Sequence, residues 1–98
     1  MNIVLSHLAE ADLEDLTLYG LINFGPTVAR KYFDSLNARI KLLASHPEMG
    51  RSVETRTNGV CRMLVHQSHV VLYRIDPSQI TIIRILDARQ NWRALRLD

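Results

Sequence analysis

Cysteine, lysine, glycine and long apolar runs are all scarce in this chain. Its single cysteine, Cys61, excludes a disulfide framework and indicates a reducing compartment. No stretch approaches the ~20 apolar residues that a membrane-spanning helix needs. The N-terminal residues lack the charged start and the cleavage site of a signal peptide. We therefore predict a cytoplasmic protein with no membrane contact.

Several kinds of chemical site are also missing from the sequence. The four glycines are scattered, so there is no glycine-rich phosphate loop. The four histidines have no partners at metal-ligand spacing except the pair His66 and His69, which brackets a predicted turn. The serines fit capping and loop positions and not a nucleophilic triad. The sequence therefore predicts no metal and no cofactor.

Positive charge is carried mainly by arginine, and eight of the twelve basic residues lie in the second half of the chain. Ten of the twelve basic residues are arginine, and arginine suits bidentate contacts with carboxylate or phosphate. Four acids, in contrast, fall in the first predicted helix: Glu10, Asp12, Glu14 and Asp15. The two halves could attract each other, or the basic half could face a negatively charged partner.

The hydrophobic pattern predicts one α+β domain over residues 1–98, with the element order β-α-α-β-β-β. An αα-hairpin, with helices at about 7–23 and 26–45, is broken by Phe24-Gly25-Pro26. Residues 2–6 and three antiparallel strands near 60–65, 69–75 and 79–86 form a mainly antiparallel four-stranded sheet, with the first strand beside the last. The polar segment 50–58 is predicted to be a loop that ends in an Asn58-Gly59 turn. The predicted core is Tyr32, Phe33, Leu36, Ile40, Leu43, Val71, Tyr73, Ile80, Ile82, Ile83 and Ile85.

The first predicted helix has two apolar stripes. One contains Ala9, Leu13, Leu16 and Gly20 and can pack on the sheet. The other must meet the second helix, solvent or a partner, and consists of Leu8, Ala11, Leu18 and Ile22.

Two arginines stand in apolar strands, Arg62 and Arg84. They could face the same side and clamp a phosphate or carboxylate, or they could pair with the acids of the first helix, because an unpaired charge in a core is unfavourable. The single tryptophan, Trp92, could pack the tail onto the domain or anchor an interface.

An ordered set of segments resembles the ParE/RelE toxins. It spans nearly the whole chain. The Pro47-x-x-Gly50-Arg51 segment and the Arg84-Ile85-Leu86 ending with Ala88-Arg89-Gln90-x-Trp92 look most like the ParE branch. The segments are Ala11-Asp12-Leu13, Tyr19, Phe24-Gly25, Ala29, Tyr32, Leu36, His46-Pro47-Glu48-Met49-Gly50-Arg51, Gly59-Val60-Cys61-Arg62, His69 to Arg74, Ile82 to Leu86 and Ala88-Arg89-Gln90-Asn91-Trp92.

The resemblance implies the toxin of a type II toxin–antitoxin pair, held inactive in a hetero-oligomer by its antitoxin. The ParE toxins inhibit DNA gyrase. Their antitoxin is typically a ribbon-helix-helix, ParD-like protein, and operator DNA is contacted only through this antitoxin. RelE relatives cut mRNA on the ribosome. A degenerate toxin that acts in autoregulation is a third possibility.

The lack of suitable proton-transfer residues favours a toxin that binds its target over a ribonuclease. RNA cleavage needs a general acid, a general base and cations at the phosphate. Arg62 and Arg84 match the basic positions of the RelE pattern, but Asp87 stands where many relatives have histidine, and the tail has neither tyrosine nor histidine. An aspartate of ordinary pKa, about 3.9, is a poor acid at neutral pH. We therefore predict no catalytic residues, and Asp87 leaves the activity of the toxin open.

Two sets of binding residues follow. The basic C-terminal set is predicted to contact the target and comprises Arg62, Arg84, Arg89, Trp92 and Arg93. The set predicted to contact the antitoxin comprises Leu8, Ala11, Leu18, Ile22, Arg51 and Arg74.

Overall fold

The computed structural model describes residues 1–55 and 59–94. It shows a five-stranded sheet with a helical hairpin on one face. The strands are β1 (Asn2–Leu5), β2 (Arg51–Thr55), β3 (Gly59–His66), β4 (His69–Ile75) and β5 (Gln79–Asp87). They lie in the order β1-β5-β4-β3-β2, with β1 parallel to β5 and the other pairs antiparallel. Helix α1 (His7–Lys41) separates β1 from β2, and 3-10 turns occur at Leu42–Ala44 and Trp92–Ala94. The predicted α+β class and the position of β1 beside the last strand are confirmed.

Helix α1 is folded back on itself at Gly25. A straight helix of 35 residues would be about 52 Å long at ~1.5 Å per residue, but the longest dimension of the molecule is 38 Å. Gly25 has φ 81° and ψ 168°, a conformation that glycine adopts readily. The first arm, residues 7–24, then contacts the second arm, residues 26–41, and a Cβ added at Gly20 would lie 3.3 Å from the Cβ of Ala29. The predicted αα-hairpin is therefore present.

Ser6 begins the helix and ties it to the sheet. Its Oγ accepts a hydrogen bond from the Ala9 amide at 3.1 Å, as an N-cap should. The same hydroxyl donates to the Ile83 carbonyl at 2.7 Å. The start of the first arm is thus fixed against β5.

The sheet buries an apolar cluster on each face. The cluster under the hairpin contains Ala9, Leu36, Ile40, Leu43, Leu64, Val71, Tyr73, Ile80, Ile82 and Ile85. The cluster on the opposite face contains Val53, Cys61, Met63, Val70, Leu72, Ile83, Leu86 and Trp92. Of the eleven predicted core residues only Tyr32 and Phe33 are not fully buried; they are half-buried at the edge of the hairpin.

Strand β2 corrects the prediction of a loop over 50–58 and of a sheet with four strands. Residues 51–55 pair with 59–63 of β3 and place Val53 and Thr55 inward. The remaining residues of this edge strand are polar and exposed, which concealed the short alternation in the sequence. Asn58, of the predicted Asn58-Gly59 turn, lies outside the described residues.

A register shift in β5 interrupts the simple alternation of side chains in that strand. The shift lies between Leu72 and Tyr73 of β4, which face Arg84 and Ile82, so Ile83 has no direct partner. An extra residue in one strand changes which side chains share a face. Ile85 consequently joins Ile80 and Ile82 under the hairpin, and Leu86 lies in the opposite cluster.

In the described part of the chain, no helix combines the length and the hydrophobicity that a membrane crossing requires.

Candidate functional site

Arg84 is bound to the first arm of the hairpin through Asp12. Its Nε donates to Asp12 Oδ2 at 2.7 Å and its Nη2 to Asp12 Oδ1 at 2.9 Å. The amide of Ile85, beside the register shift, donates to the same Oδ2 at 2.9 Å. The bidentate pair raises the pKa of Arg84. Of the two alternatives left open for this arginine, the structure shows the ion pair with a helix acid.

Arg62 holds the turn that precedes β2. Its Nη1 donates to the carbonyl oxygens of Gly50 at 2.6 Å and Glu48 at 3.4 Å. Strand β4 separates Arg62 on β3 from Arg84 on β5, so their backbones are about 10 Å apart at ~4.8 Å per strand. The predicted clamp would need both groups on one ligand, but each guanidinium binds its own part of the fold.

The basic residues after β5 differ in their exposure. Arg89 donates to Asp87 at 3.1 Å and 3.0 Å, and these bonds with the Arg89 amide lower the pKa of Asp87 to about 2. Trp92 is buried in the second apolar cluster, and the exposed Arg93 guanidinium lies 4.3 Å from its ring centroid. Arg89 and Arg93 are therefore accessible to a partner, and Trp92 packs the tail onto the sheet.

The residues predicted to contact an antitoxin lie on two sides of the molecule. Leu18 and Ile22 are 57% and 73% exposed on the first arm, with Ala11 exposed and Leu8 half-buried on the same arm. Arg51 pairs directly with Met63 and so points to the opposite face of the sheet, as does Arg74, the neighbour of the inward-facing Tyr73. A single partner could reach both groups only by passing around the edge of the sheet.

A cluster of exposed apolar side chains lies at the end of the hairpin, and we call it the apolar tip. Leu18 and Ile22 were predicted binding residues, and the other members were not. Its members are Leu18, Tyr19, Leu21, Ile22, Phe24 and Val28, each at least 44% exposed. Contiguous apolar surface of this kind marks interaction sites. The sequence contained an indication, since apolar residues surround the helix between 18 and 24 and one core cannot cover them all.

A groove of about 510 Å³ lies between the apolar tip and the ends of the strands. Its apolar walls come from both arms, and its polar end from the β3–β4 turn and the end of β5. The lining residues are Leu16, Thr17, Tyr19, Gly20, Phe24, Val28, Ala29, Tyr32, Ser68, His69, Asp87 and Arg89.

Two histidines join the second arm to the sheet beside this groove. The Tyr32 hydroxyl is hydrogen-bonded to His69 Nδ1 at 2.6 Å and to the His66 carbonyl at 3.3 Å. Ser35 Oγ lies 3.0 Å from His66 Nε2. Partial burial lowers the pKa of both histidines, and the Arg39 charge lowers that of His66 further. The sequence located the turn, but only the fold shows its contact with the helix.

Among residues 1–55 and 59–94, no group of three or more His, Cys, Asp or Glu side chains is arranged so that it could hold a metal ion. The described residues present an apolar tip, a groove and exposed arginines.

Comparison with known proteins identifies the family. The model of the family described as "ParE toxin of type II toxin-antitoxin system, parDE" matches residues 3–92. The chain is also similar to Toxin ParE1 of Caulobacter vibrioides (strain ATCC 19089 / CIP 103742 / CB 15), with 39% identity over 90 residues and 92% of each chain covered. The chain belongs to the ParE toxin family.

A solved structure supports the fold of this ParE toxin. The structure titled "Chromosomal ParDE TA system from P. aeruginosa" superposes with a TM-score of 0.77 at 22% identity. The match covers 91% of this chain and 97% of the other. The predicted role as the toxin of a type II toxin–antitoxin system, and hence an antitoxin as partner, is confirmed by the family.

Proposed function

We propose that this ParE toxin inhibits DNA gyrase by binding and does not cleave RNA. The observation that supports this most strongly is the bidentate contact of Arg84 with Asp12, because it takes up a cation that a nuclease would need at the phosphate. Asp87 is no substitute for a general acid, since a carboxyl with a pKa of about 2 is ionised at neutral pH. Membership of the ParE family supports gyrase as the target.

The target would meet the exposed arginines that follow β5. Arg89 and Arg93 are accessible, and the buried Trp92 fixes the backbone between them against the sheet. Arg62 and Arg84 would act indirectly, since they hold the turn before β2 and the register of β5. Exposed guanidinium groups suit acidic protein surfaces and DNA phosphates alike.

A ribbon-helix-helix, ParD-like antitoxin would neutralise the toxin by covering the apolar tip. Amphipathic partner segments bind grooves by inserting apolar side chains at helical spacing, and the tip and groove offer such a surface. Acidic residues of the same tail would then reach Arg51 and Arg74 after passing around the sheet edge. A dimeric antitoxin would hold two toxins and would make all the contacts with operator DNA.

Induction of the chain without antitoxin separates the candidate targets in cells. Gyrase inhibition predicts double-strand DNA breaks and a DNA-damage response before translation declines. The Arg89→Ala/Arg93→Ala double variant should lose this response but still bind antitoxin, and Arg30→Ala is the matched control for an exposed arginine. Arrested translation with cut mRNA and intact DNA would contradict the proposal.

A ribosome-dependent mRNA endonuclease is the second candidate, and one observation favours it. Tyr32 and His69 form a 2.6 Å hydrogen bond at the edge of a groove whose rim carries Arg89. A histidine of lowered pKa is a competent base at neutral pH, and an arginine could neutralise a phosphate. If this is the function, His69→Gln abolishes mRNA cleavage in the stably folded chain.

Growth that continues normally after induction would instead indicate the third alternative, a degenerate toxin that acts in autoregulation.

A further inference from the structure

The outer side of the second arm presents a row of donors without an acid in the row. Lys31, Ser35 and Arg39 stand at i, i+4 and i+8, so they follow one another along a single stripe of the helix. Asp34, on the neighbouring stripe, is paired with Arg30 at 3.4 Å. The row therefore carries positive charge along the arm.

Arg39 is the unusual member of this row. It is only partly exposed, and its Nε is shielded from solvent with no hydrogen-bond acceptor in the described part of the chain. Arg39 also takes part in none of the ion pairs found among residues 1–55 and 59–94. A shielded donor without an acceptor is unfavourable, so such a group calls for a ligand.

His66, at the end of β3, extends this row through a hydrogen bond with Ser35. Its Nε2 lies 3.0 Å from Ser35 Oγ at an exposed position, so this pair is open to solvent. Arg39 stands one helical turn after Ser35, so it lies on the same stripe as the hydroxyl that contacts His66. The Arg39 charge also contributes to the lowered pKa of His66. The helical stripe thus brings a cation and a hydroxyl beside the imidazole at the seam between the second arm and the sheet.

We propose that Lys31, Ser35, Arg39 and His66 form a binding site for a phosphate group. Arginine supplies a planar fork and lysine a point charge. The hydrogen-bonded Ser35–His66 pair supplies one further donor, from the hydroxyl or from the ring according to the tautomer. A phosphate has enough acceptor oxygens to satisfy these donors, whereas a carboxylate has only two oxygens. The phosphate can be free or part of a nucleic-acid backbone, and the site is separate from the apolar tip and from the arginines after β5.

NMR of the purified full chain tests this site through the imidazole of His66. Inorganic phosphate is added at constant ionic strength, with chloride as the replaced anion. Bound phosphate should give a saturable shift of the His66 ring signals and a higher His66 pKa, because it offsets the Arg39 charge. Arg39→Met and Lys31→Met should each weaken binding about three- to tenfold, as the loss of one hydrogen bond at a site open to solvent does.

Arg30→Met is the matched control, because Arg30 lies on the same arm but belongs to the Arg30–Asp34 pair. Its phosphate affinity should equal that of the parent. A His66 response that is linear, or that is unchanged in both Arg39→Met and Lys31→Met, would overturn the proposal, as would an equal response to acetate. If a short single-stranded oligonucleotide competes with phosphate, the source is a nucleic-acid backbone; if it does not, the source is free phosphate.

Discussion

The Asp12–Arg84 pair shows how one contact can link three parts of this fold. The side chains are 12% and 17% exposed, and the Asp12 carboxylate also accepts the Ile85 amide beside the register shift. Removing one member of a buried pair leaves a charge without its partner, which costs about 3–5 kcal/mol when burial is complete. The pair therefore holds the first arm, β5 and the shifted register together.

We predict that Asp12→Ala lowers the free energy of unfolding by about 2–4 kcal/mol, below the fully buried range because some exposure remains. Urea denaturation measures the change. The exposed Arg30–Asp34 pair is the matched control, and Asp34→Ala should cost at most about 0.5 kcal/mol. Equal small losses in both variants would mean that the Asp12 contact is not structural.

The two histidines of the β3–β4 turn should make stability depend on pH. Burial lowers the pKa of His69 and His66 below the ordinary value of 6.5, although Asp87 acts in the opposite direction on His69. The unfolded chain therefore binds protons at a higher pH than the folded chain does, so stability falls as pH drops below about 6.5. The pKa of Asp87 is about 2, so this carboxylate keeps its charge in that window.

Unfolding measured between pH 7.5 and pH 5 checks this direction, and His69→Gln should flatten the profile. The control is His7→Gln, an exposed histidine at the start of the helix. Stability that rises as the pH falls through 6.5 would contradict the lowered pKa values.

Among the elements, the hairpin turn depends on a single glycine. A Cβ at Gly25 would meet no atom within 4 Å, so any effect of Gly25→Ala must come from its φ of 81°. A non-glycine residue held in such a region costs about 1–3 kcal/mol. We expect Gly25→Ala to destabilise the protein by that amount in urea denaturation, with the apolar tip displaced. A variant as stable as the parent would show that the turn tolerates an ordinary φ.

The elements that were predicted correctly are those with a strong local pattern. Ser6, the Gly25-Pro26 break and the periodic face of the second arm define the helices, and the alternating runs define β3, β4 and β5. Strand β2 was missed because an edge strand buries only alternate residues. The shift in β5 lies beside the contact of the Ile85 amide with Asp12, which is 73 positions away in the chain, so no local pattern indicates it.

The proposed binding surface was only partly predictable for the same reason. Leu18 and Ile22 were predicted to meet a partner because their stripe exceeded what one sheet can cover. Arg84 and Trp92 were predicted to contact the target. The sequence alone does not show that Arg84 pairs with Asp12 or that Trp92 packs in the second apolar cluster. The groove likewise arises only when the two arms, the β3–β4 turn and β5 come together.

For the molecule as a whole, the apolar tip should decide whether the toxin can be neutralised. Ile22 is 73% exposed, so Ile22→Glu should leave stability within about 0.5 kcal/mol of the parent. In the complex the glutamate charge would be buried under the antitoxin, so we expect antitoxin binding to weaken at least tenfold. Calorimetry with the purified antitoxin measures this change. Val65→Glu, an exposed apolar residue on β3, is the control. Unchanged affinity in Ile22→Glu would exclude the tip as part of the docking surface.

Inhibition of DNA gyrase by binding is the function that we propose for this ParE toxin. Its most direct test is a supercoiling assay with purified gyrase, relaxed plasmid and the purified chain. We expect supercoiling to stop and cleaved plasmid to accumulate in proportion to the toxin, with full relief by antitoxin and at least tenfold weaker inhibition by Arg89→Ala/Arg93→Ala. Gyrase that supercoils normally at saturating toxin, while the same preparation cleaves mRNA on ribosomes, would contradict the account.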